Sequence, residues 1–184
     1  MDRLHGPPSH SQFPTPIVMS PHVIRLRGPW RYEPLARYVR DASGKLSIDT
    51  APPPAAGRLE MPADWSASLG GDFRGRVRYV RWFGCPTNLA PGDIVALSFA
   101  AAVGQLSLAI NGHSLGQYGG ASLPMSFDIT GRLRERNELV VEVEHPLLAD
   151  ETSASDDDRP GGLVGEVRLQ IDAHSPGIGN QSHD

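Results

Sequence analysis

The chain has 184 residues, of which 39% are hydrophobic, and it carries a formal net charge of −4. This length is enough for one domain with a buried core, and the acidic balance argues against nucleic acid or an anionic membrane as a partner. The single cysteine, Cys85, excludes an internal disulfide. No apolar run approaches the ~18 residues of a membrane-spanning helix.

The two ends of the chain differ in composition from its middle. Residues 1–21 are rich in Pro, Ser and His and lack hydrophobic periodicity, so they are predicted to form a disordered tail, as are residues 174–184. Pro14 and Pro16 interrupt the apolar stretch that a signal peptide would need. We therefore expect a soluble, cytoplasmic protein whose single domain occupies residues 22–173.

Short segments of alternating apolar and polar residues fill this domain, and no segment shows helical periodicity over ten residues. In the segment 45–49, Leu46 and Ile48 are expected to face inward. The spacing of the segments is typical of an antiparallel sandwich or a barrel. Strands are predicted at 23–26, 45–49, 58–61, 75–85, 93–99, 105–110, 137–145 and 166–172.

The segment 75–85, GRVRYVRWFGC, changes the phase of its alternation between Tyr79 and Val80. Val77 shares a face with Tyr79, whereas Trp82 shares the other face with Val80. This pattern predicts a β-bulge at the change of phase, or a strand that is apolar on both faces. Six aromatic residues are assigned to the core, where burying their large area is most favourable: Trp30, Tyr79, Trp82, Phe83, Phe99 and Phe127.

The stretch 105–130 contains the clearest local signals. Asn111-Gly112 supplies the positive φ angles of a two-residue hairpin turn. A glycine-rich loop is predicted around Gly119-Gly120. Further on, the residues from Asp128 to Leu133 are expected to form one helical turn with Asp128 as its N-cap.

Four groups of residues in chain order carry a family resemblance. They are 26–30 (LRGPW), 61–65 (MPADW), 75–83 (GRVRYVRWF), and a spaced set made of 111–112 (NG), Gly116, 119–120 (GG), 127–130 (FDIT) and 137–139 (NEL). They resemble the N-terminal sugar-binding domain of glycoside hydrolase family 2, found in β-galactosidases and β-glucuronidases. The resemblance covers about residues 23–172 and implies an all-β, jelly-roll, galactose-binding-like sandwich.

The resemblance stops short of the catalytic machinery. In the family, this domain precedes an immunoglobulin-like domain and a TIM barrel with two catalytic glutamates. Such a barrel takes ~250 residues, and 12 residues follow the last predicted strand. The chain also has residues 162–165 (GLVG) where the family has Gly-Ile-aromatic-Arg. The expectation is a non-catalytic carbohydrate-binding or accessory domain without a cofactor.

Two other functions remain open. The chain could be part of a truncated or split glycosidase whose barrel lies on another chain, or a protein-interaction or structural module on the same scaffold. The expected partners are accordingly a carbohydrate ligand or a glycosidase or other protein chain, and neither nucleic acid nor a membrane.

Three sequence patterns resemble catalytic or metal-binding motifs, but each is interpreted as structural. Residues 112–116 (GHSLG) match the G-x-S-x-G of a nucleophile elbow, but they lie in a hairpin without the required strand-turn-helix. Glu142 and Glu144 share a strand face at roughly 7 Å, a separation compatible with paired glycosidase carboxylates, and are interpreted as a wet sheet face. Residues 156–158 (DDD) are interpreted as a mobile acidic loop rather than a calcium site. The histidines lack metal-ligand spacing, so no metal site is predicted.

A sugar site needs an exposed aromatic face beside groups that hydrogen-bond hydroxyls. The candidates are Trp65 with Asp64, Tyr118 in the glycine-rich loop, and Asn111 and His113 at the hairpin. Because binding residues concentrate on loops, these five are expected to hold a ligand at one end of the sandwich.

Overall fold

The computed structural model describes residues 21–119, 122–145 and 159–172. The predicted tails, apart from residue 21, lie outside the described residues, as do Gly120 and Asp156, Asp157 and Asp158. The described chain forms antiparallel sheets that enclose one hydrophobic core, so the predicted all-β sandwich is confirmed. Among the described residues, no helix is long and apolar enough to cross a membrane.

The smaller of the two main sheets has four strands. Their spatial order is β1 (His22–Arg25), β13 (Val167–Asp172), β7 (Ile94–Phe99) and β10 (Met125–Asp128), and all neighbours are antiparallel.

The larger sheet has seven strands. The order is β3 (Leu46–Ile48), β2 (Trp30–Arg40), β6 (Gly75–Gly84), β11 (Arg136–His145), β8 (Gln105–Ile110) and β9 (His113–Gly119), while β4 (Gly57–Leu59) also pairs with β2. A two-stranded sheet joins β5 (Ala63–Asp64) to β12 (Gly162–Leu163). The helical elements are α1 (Ser66–Leu69) and a 3-10 turn at Thr130–Arg132.

Period-2 alternation explains the core. In β11, Leu139, Val141 and Val143 are fully buried, whereas the residues between them are partly exposed. The same alternation buries Leu106, Leu108 and Ile110 of β8. Burial of apolar side chains from both sheets is the main stabilising term of such a sandwich.

The change of phase in β6 is not a bulge. Its register with β11 runs without a shift from Gly75 opposite His145 to Gly84 opposite Arg136, so the alternative of a strand that is apolar on both faces is the correct one. The register shift lies in β2, between Pro34 and Ala36. Proline has no N–H to donate to a ladder, which is why it interrupts the pairing there.

Strand β3 corrects a second expectation. Leu46 is 37% exposed and Ile48 is 64% exposed, so neither faces the core. The reason is that β3 is a three-residue edge strand that pairs only with Tyr38, Val39 and Arg40, and the core cluster includes neither of its apolar residues.

The local signals of the hairpin and of the helical turn are confirmed. Asn111 has φ 52° and Gly112 has φ 80°, and the turn joins Ile110 to His113. Strand β9 continues to Gly119 where a loop was expected. The N-cap position is occupied by Ile129, which makes no side-chain cap bond, so the prediction of Asp128 as N-cap is wrong by one residue. Asp128 Oδ1, one residue before the cap, accepts hydrogen bonds from the Thr130 backbone N–H at 2.9 Å and from its hydroxyl at 2.7 Å.

Candidate functional site

The outer face of the seven-stranded sheet carries a groove of about 380 Å³, here called the outer groove. Its floor is apolar and consists of Val80, Val140, Ala109 and Trp82. Its polar walls come from β2, β6 and β11, namely Arg31, Glu33, Arg78, Glu138 and Glu142. This volume lies within the range of small-molecule sites, which combine apolar surface with a few placed polar groups.

Trp82 is the aromatic residue of this groove. Its side chain is 37% exposed, whereas Trp30 and Trp65 are fully buried. The alternation of β6 directs Trp82 away from the core that buries Val77 and Tyr79. The assignment of Trp82 to the core is therefore wrong, and its ring offers an apolar face to solvent.

Arg78 organises the polar wall. It lies opposite Glu142 of β11 and opposite Glu33 of β2 in the sheet register. Its Nη2 is 2.8 Å and its Nε 2.9 Å from Glu142 Oε1, and its Nη1 is 3.8 Å from Glu33 Oε2. The two charge-assisted bonds fix the Glu142 carboxylate in place, so its other oxygen is positioned to accept a hydrogen bond from a ligand. The contact with Glu33 is a longer ion pair.

The groove adjoins a smaller polar hollow of about 160 Å³, lined by residues that include Glu142, Glu144, Arg76 and Gln105. The Tyr38 hydroxyl donates a hydrogen bond to Glu144 Oε1. Burial, reinforced by this hydrogen bond, raises the pKa of Tyr38 to about 12. The phenol therefore stays a neutral donor over the physiological pH range.

Glu142 and Glu144 lie on the outer face, as the interpretation of a wet sheet face required. Each is engaged by a donor from a neighbouring strand, Glu142 by Arg78 and Glu144 by Tyr38. Within the described part of the chain, no group of three or more His, Cys, Asp or Glu side chains is arranged to hold a metal ion.

Trp65 does not have the exposed face expected of a sugar platform. It is fully buried, with its ring edge-on to Phe73 at a centroid distance of 5.3 Å, and Gly161 packs directly against it. A buried indole cannot stack on a sugar, so this expectation is corrected. Its neighbour Asp64 accepts hydrogen bonds from the backbone and hydroxyl of Ser66 and fixes the start of α1.

Asn111 holds the hairpin together. Its Nδ2 donates to the Arg132 carbonyl at 2.7 Å and to Asn137 Oδ1 at 2.9 Å, and its Oδ1 accepts from the Glu138 N–H at 2.9 Å. These bonds use the amide for the fold, so it is not free to serve a ligand. The adjacent His113 is exposed.

Tyr118 is half-buried on edge strand β9. Its hydroxyl donates to the Leu115 carbonyl at 2.7 Å, and its ring lies 5.3 Å from that of Phe127. These contacts turn the ring toward the core side of the sheet.

The structure does not bring the five predicted site residues together. The ring of Trp65 contacts His145, the last residue of β11, whereas Asn111 bonds Asn137 near its start. Eight residues of strand separate these points by roughly 27 Å. The five residues therefore lie at opposite ends of the sandwich, and the groove formed in the structure includes none of them.

No protein-family model matches the sequence, and no curated protein matches it by sequence comparison. Solved structures do match. An FMN-binding β-glucuronidase from Faecalibacterium prausnitzii L2-6 is 26% identical over 84% of this chain and 23% of its own, with a TM-score of 0.61.

Two further structures show the same fold. The Bifidobacterium dentium β-glucuronidase is 22% identical over 86% of this chain and 31% of its own, with a TM-score of 0.58. A protein assigned as a β-galactosidase from Bacteroides fragilis is 19% identical over 84% and 24%, with a TM-score of 0.57.

These matches define the class of the domain. The resemblance to glycoside hydrolase family 2 is confirmed at the level of one β-sandwich domain. The chain spans between 16% and 33% of the length of the matched structures. It matches one β-sandwich domain of these structures, and a catalytic barrel is not among the elements of the described residues.

Proposed function

We propose that this chain is a non-catalytic, carbohydrate-binding accessory domain and that the outer groove holds the sugar. The observation that carries the proposal is the exposed ring of Trp82 among carboxylates and arginines. Its apolar face, continued by Val80 and Val140, matches the C–H face of a pyranose. Glu33, Glu138 and Arg31 supply hydrogen-bonding groups at the rim for the hydroxyls.

A binding role fits the chemistry of this face better than catalysis does. Glu142 accepts a hydrogen bond from Arg78, and Glu144 accepts one from Tyr38, so donors from neighbouring strands already engage both carboxylates, whereas a glycosidase pair must be directed at the scissile bond. The same fixed acceptors suit sugar hydroxyls, because a preorganised polar group loses little entropy when a ligand binds.

Titration calorimetry against neutral and acidic oligosaccharides tests this function. Replacing Trp82 by Ala removes the stacking face, so we expect any measured affinity to fall at least tenfold while the melting temperature changes little. Ile94→Ala is the matched control, since Ile94 is 47% exposed on the opposite sheet. Equal affinity of Trp82→Ala and the unmodified protein would contradict the proposed site.

The coverage of the matched structures supports a second candidate. Because the chain corresponds to at most 33% of the first matched enzymes, it could serve as the accessory domain of a glycosidase whose catalytic part is on another chain. Native purification from the source organism tests this: glycosidase activity on nitrophenyl glycosides should elute with the chain. Elution of the chain free of such activity would count against this candidate.

A further inference from the structure

Beside the outer groove lies a second cleft, of about 410 Å³, that is unusually rich in arginine. It is lined by Pro29, Arg31, Arg58, Arg81, Trp82 and Arg136, here called the arginine cleft. The chain as a whole carries a formal charge of −4, yet this cleft has four guanidinium groups and no carboxylate in its lining. Arg31 and Trp82 line both cavities, so the cleft continues the outer groove.

The strand register explains how the arginines meet. The first residues of β2 and β11 and the last residues of β6 lie at the same end of the antiparallel sheet. Arg58 of β4 lies directly opposite Arg31 of β2. Like charges in opposed cross-strand positions are destabilising, so the fold here accepts an unfavourable pair.

Elsewhere on the outer face of the larger sheet, arginines lie opposite carboxylates. Arg78 lies between Glu33 and Glu142, and Arg76 lies opposite Glu144. Favourable cross-strand pairing of unlike charges is therefore available on this face, whereas Arg31 of the arginine cleft lies opposite Arg58 instead.

The arginines of the cleft are not neutralised within the described residues. None of the four forms an ion pair with a described carboxylate. Arg81 Nη1 donates to the Pro29 carbonyl at 3.2 Å, but its buried Nε has no hydrogen-bond partner in the described chain. A buried donor without a partner is costly. Burial also lowers the pKa of Arg81.

We propose that the arginine cleft binds the acid group of an acidic saccharide whose ring stacks on Trp82. Guanidinium forks match the planar oxygens of a carboxylate or the oxygens of a sulfate ester, each through two hydrogen bonds. The aromatic wall shared with the outer groove supplies the surface for a sugar ring, which a free anion does not need. This inference rests on the proposed carbohydrate binding and names the class of sugar.

Trp82 fluorescence provides the readout, because the other two tryptophans are fully buried. The probes are tetragalacturonate and a sulfated galactose tetrasaccharide, each compared at constant ionic strength with its uncharged counterpart, the methyl ester or the desulfated sugar. We expect at least one acidic probe to bind ten or more times more tightly than its counterpart. The two acidic arms distinguish a carboxylate from a sulfate as the recognised group.

The double variant Arg58→Gln/Arg136→Gln removes two cleft charges that form no ion pair with a described carboxylate. We expect it to keep the melting temperature and to lose at least tenfold in affinity for the acidic probe, with little change for the neutral one. Arg40→Gln is the matched control, since Arg40 lies at the far end of β2. It should bind as the unmodified protein does.

The remaining outcomes separate the two proposals. Equal binding of acidic and neutral sugars would overturn the acidic class and leave carbohydrate binding intact. A response to hexaglutamate with none to any saccharide would overturn both and make the cleft a docking site for an acidic peptide. A folded protein that responds to no probe would also overturn both.

Discussion

At the residue scale, the three tryptophans have distinct roles that follow from their surroundings. Trp30 is buried and donates its indole N–H to the Leu26 carbonyl at 2.6 Å. Trp65 is buried against Phe73. Only Trp82 of the three has an exposed ring, which rests on the wet face of the larger sheet. The first two stabilise the core, and the third is available to a ligand.

Asp128 gives a prediction about acid stability. Its hydrogen bonds from Thr130 are the main reason that its pKa is lowered from 3.8. A carboxyl with a lowered pKa in the folded state contributes stability above its unfolded pKa and loses it as the pH falls through the folded value. Asp128→Ala should therefore cost about 0.5–1 kcal/mol at pH 7, a typical loss for an exposed carboxylate that bonds a backbone N–H at the start of a helical turn.

Urea unfolding of Asp128→Ala and of the unmodified protein between pH 7 and pH 2 checks this account. The difference between the two should shrink below pH 4. Asp128→Asn is the control, since an amide oxygen still accepts the bonds but does not titrate. A difference that stays constant down to pH 2 would show that the carboxylate charge has no part in it.

At the scale of elements, the connection between β12 and the core depends on one close approach. A Cβ on Gly161 would lie 2.1 Å from Trp65 Cζ2, which is well inside van der Waals contact. Gly161→Ala should therefore lower the free energy of unfolding by about 1–3 kcal/mol or more, as overpacking of a core does.

The control for this prediction is Gly71→Ala, because a Cβ there would meet no heavy atom within 4 Å. Chemical denaturation followed by circular dichroism gives both values. Equal stabilities of the two variants would contradict the claim that the packing of Gly161 on Trp65 holds the two-stranded sheet of β5 and β12 in place.

The elements that the sequence predicts well are those with one buried face. Strands β7, β8, β11 and β13 alternate cleanly, and each was predicted. Strand β2 was missed, because Pro34 and the register shift beside it break its alternation. The inward orientation of Ile48 was wrong because alternation alone does not say whether another sheet covers a strand.

The site was harder to predict than the fold. Trp65 looked like a loop residue, and its burial depends on Gly161, which is distant in sequence and packs against it only in the folded chain. The signal for Trp82 was present in the change of phase after Tyr79, since a strand with apolar residues on both faces must expose some of them. Arg31 and Arg58 lie opposite each other in the pairing of β2 with β4. Predicting this contact requires the register of the two strands, which short-range sequence patterns do not give.

At the scale of the whole molecule, the inner and outer faces of the sheets have different roles. Their facing sides form the core that resembles domains of much longer β-glucuronidases. The outer side of the larger sheet carries the outer groove and, at one end, the arginine cleft. The proposed binding surface is thus built on rigid strands, which hold the polar groups in place more firmly than loops do.

The measurement that tests this account most directly is a heteronuclear NMR titration that follows the three indole N–H signals. With a bound oligosaccharide, the account predicts that the Trp82 signal shifts in a saturable way while those of Trp30 and Trp65 stay in place. A ligand that shifts the Trp65 signal and leaves Trp82 unchanged, or a panel of oligosaccharides that moves none of the three, would contradict carbohydrate binding in the outer groove.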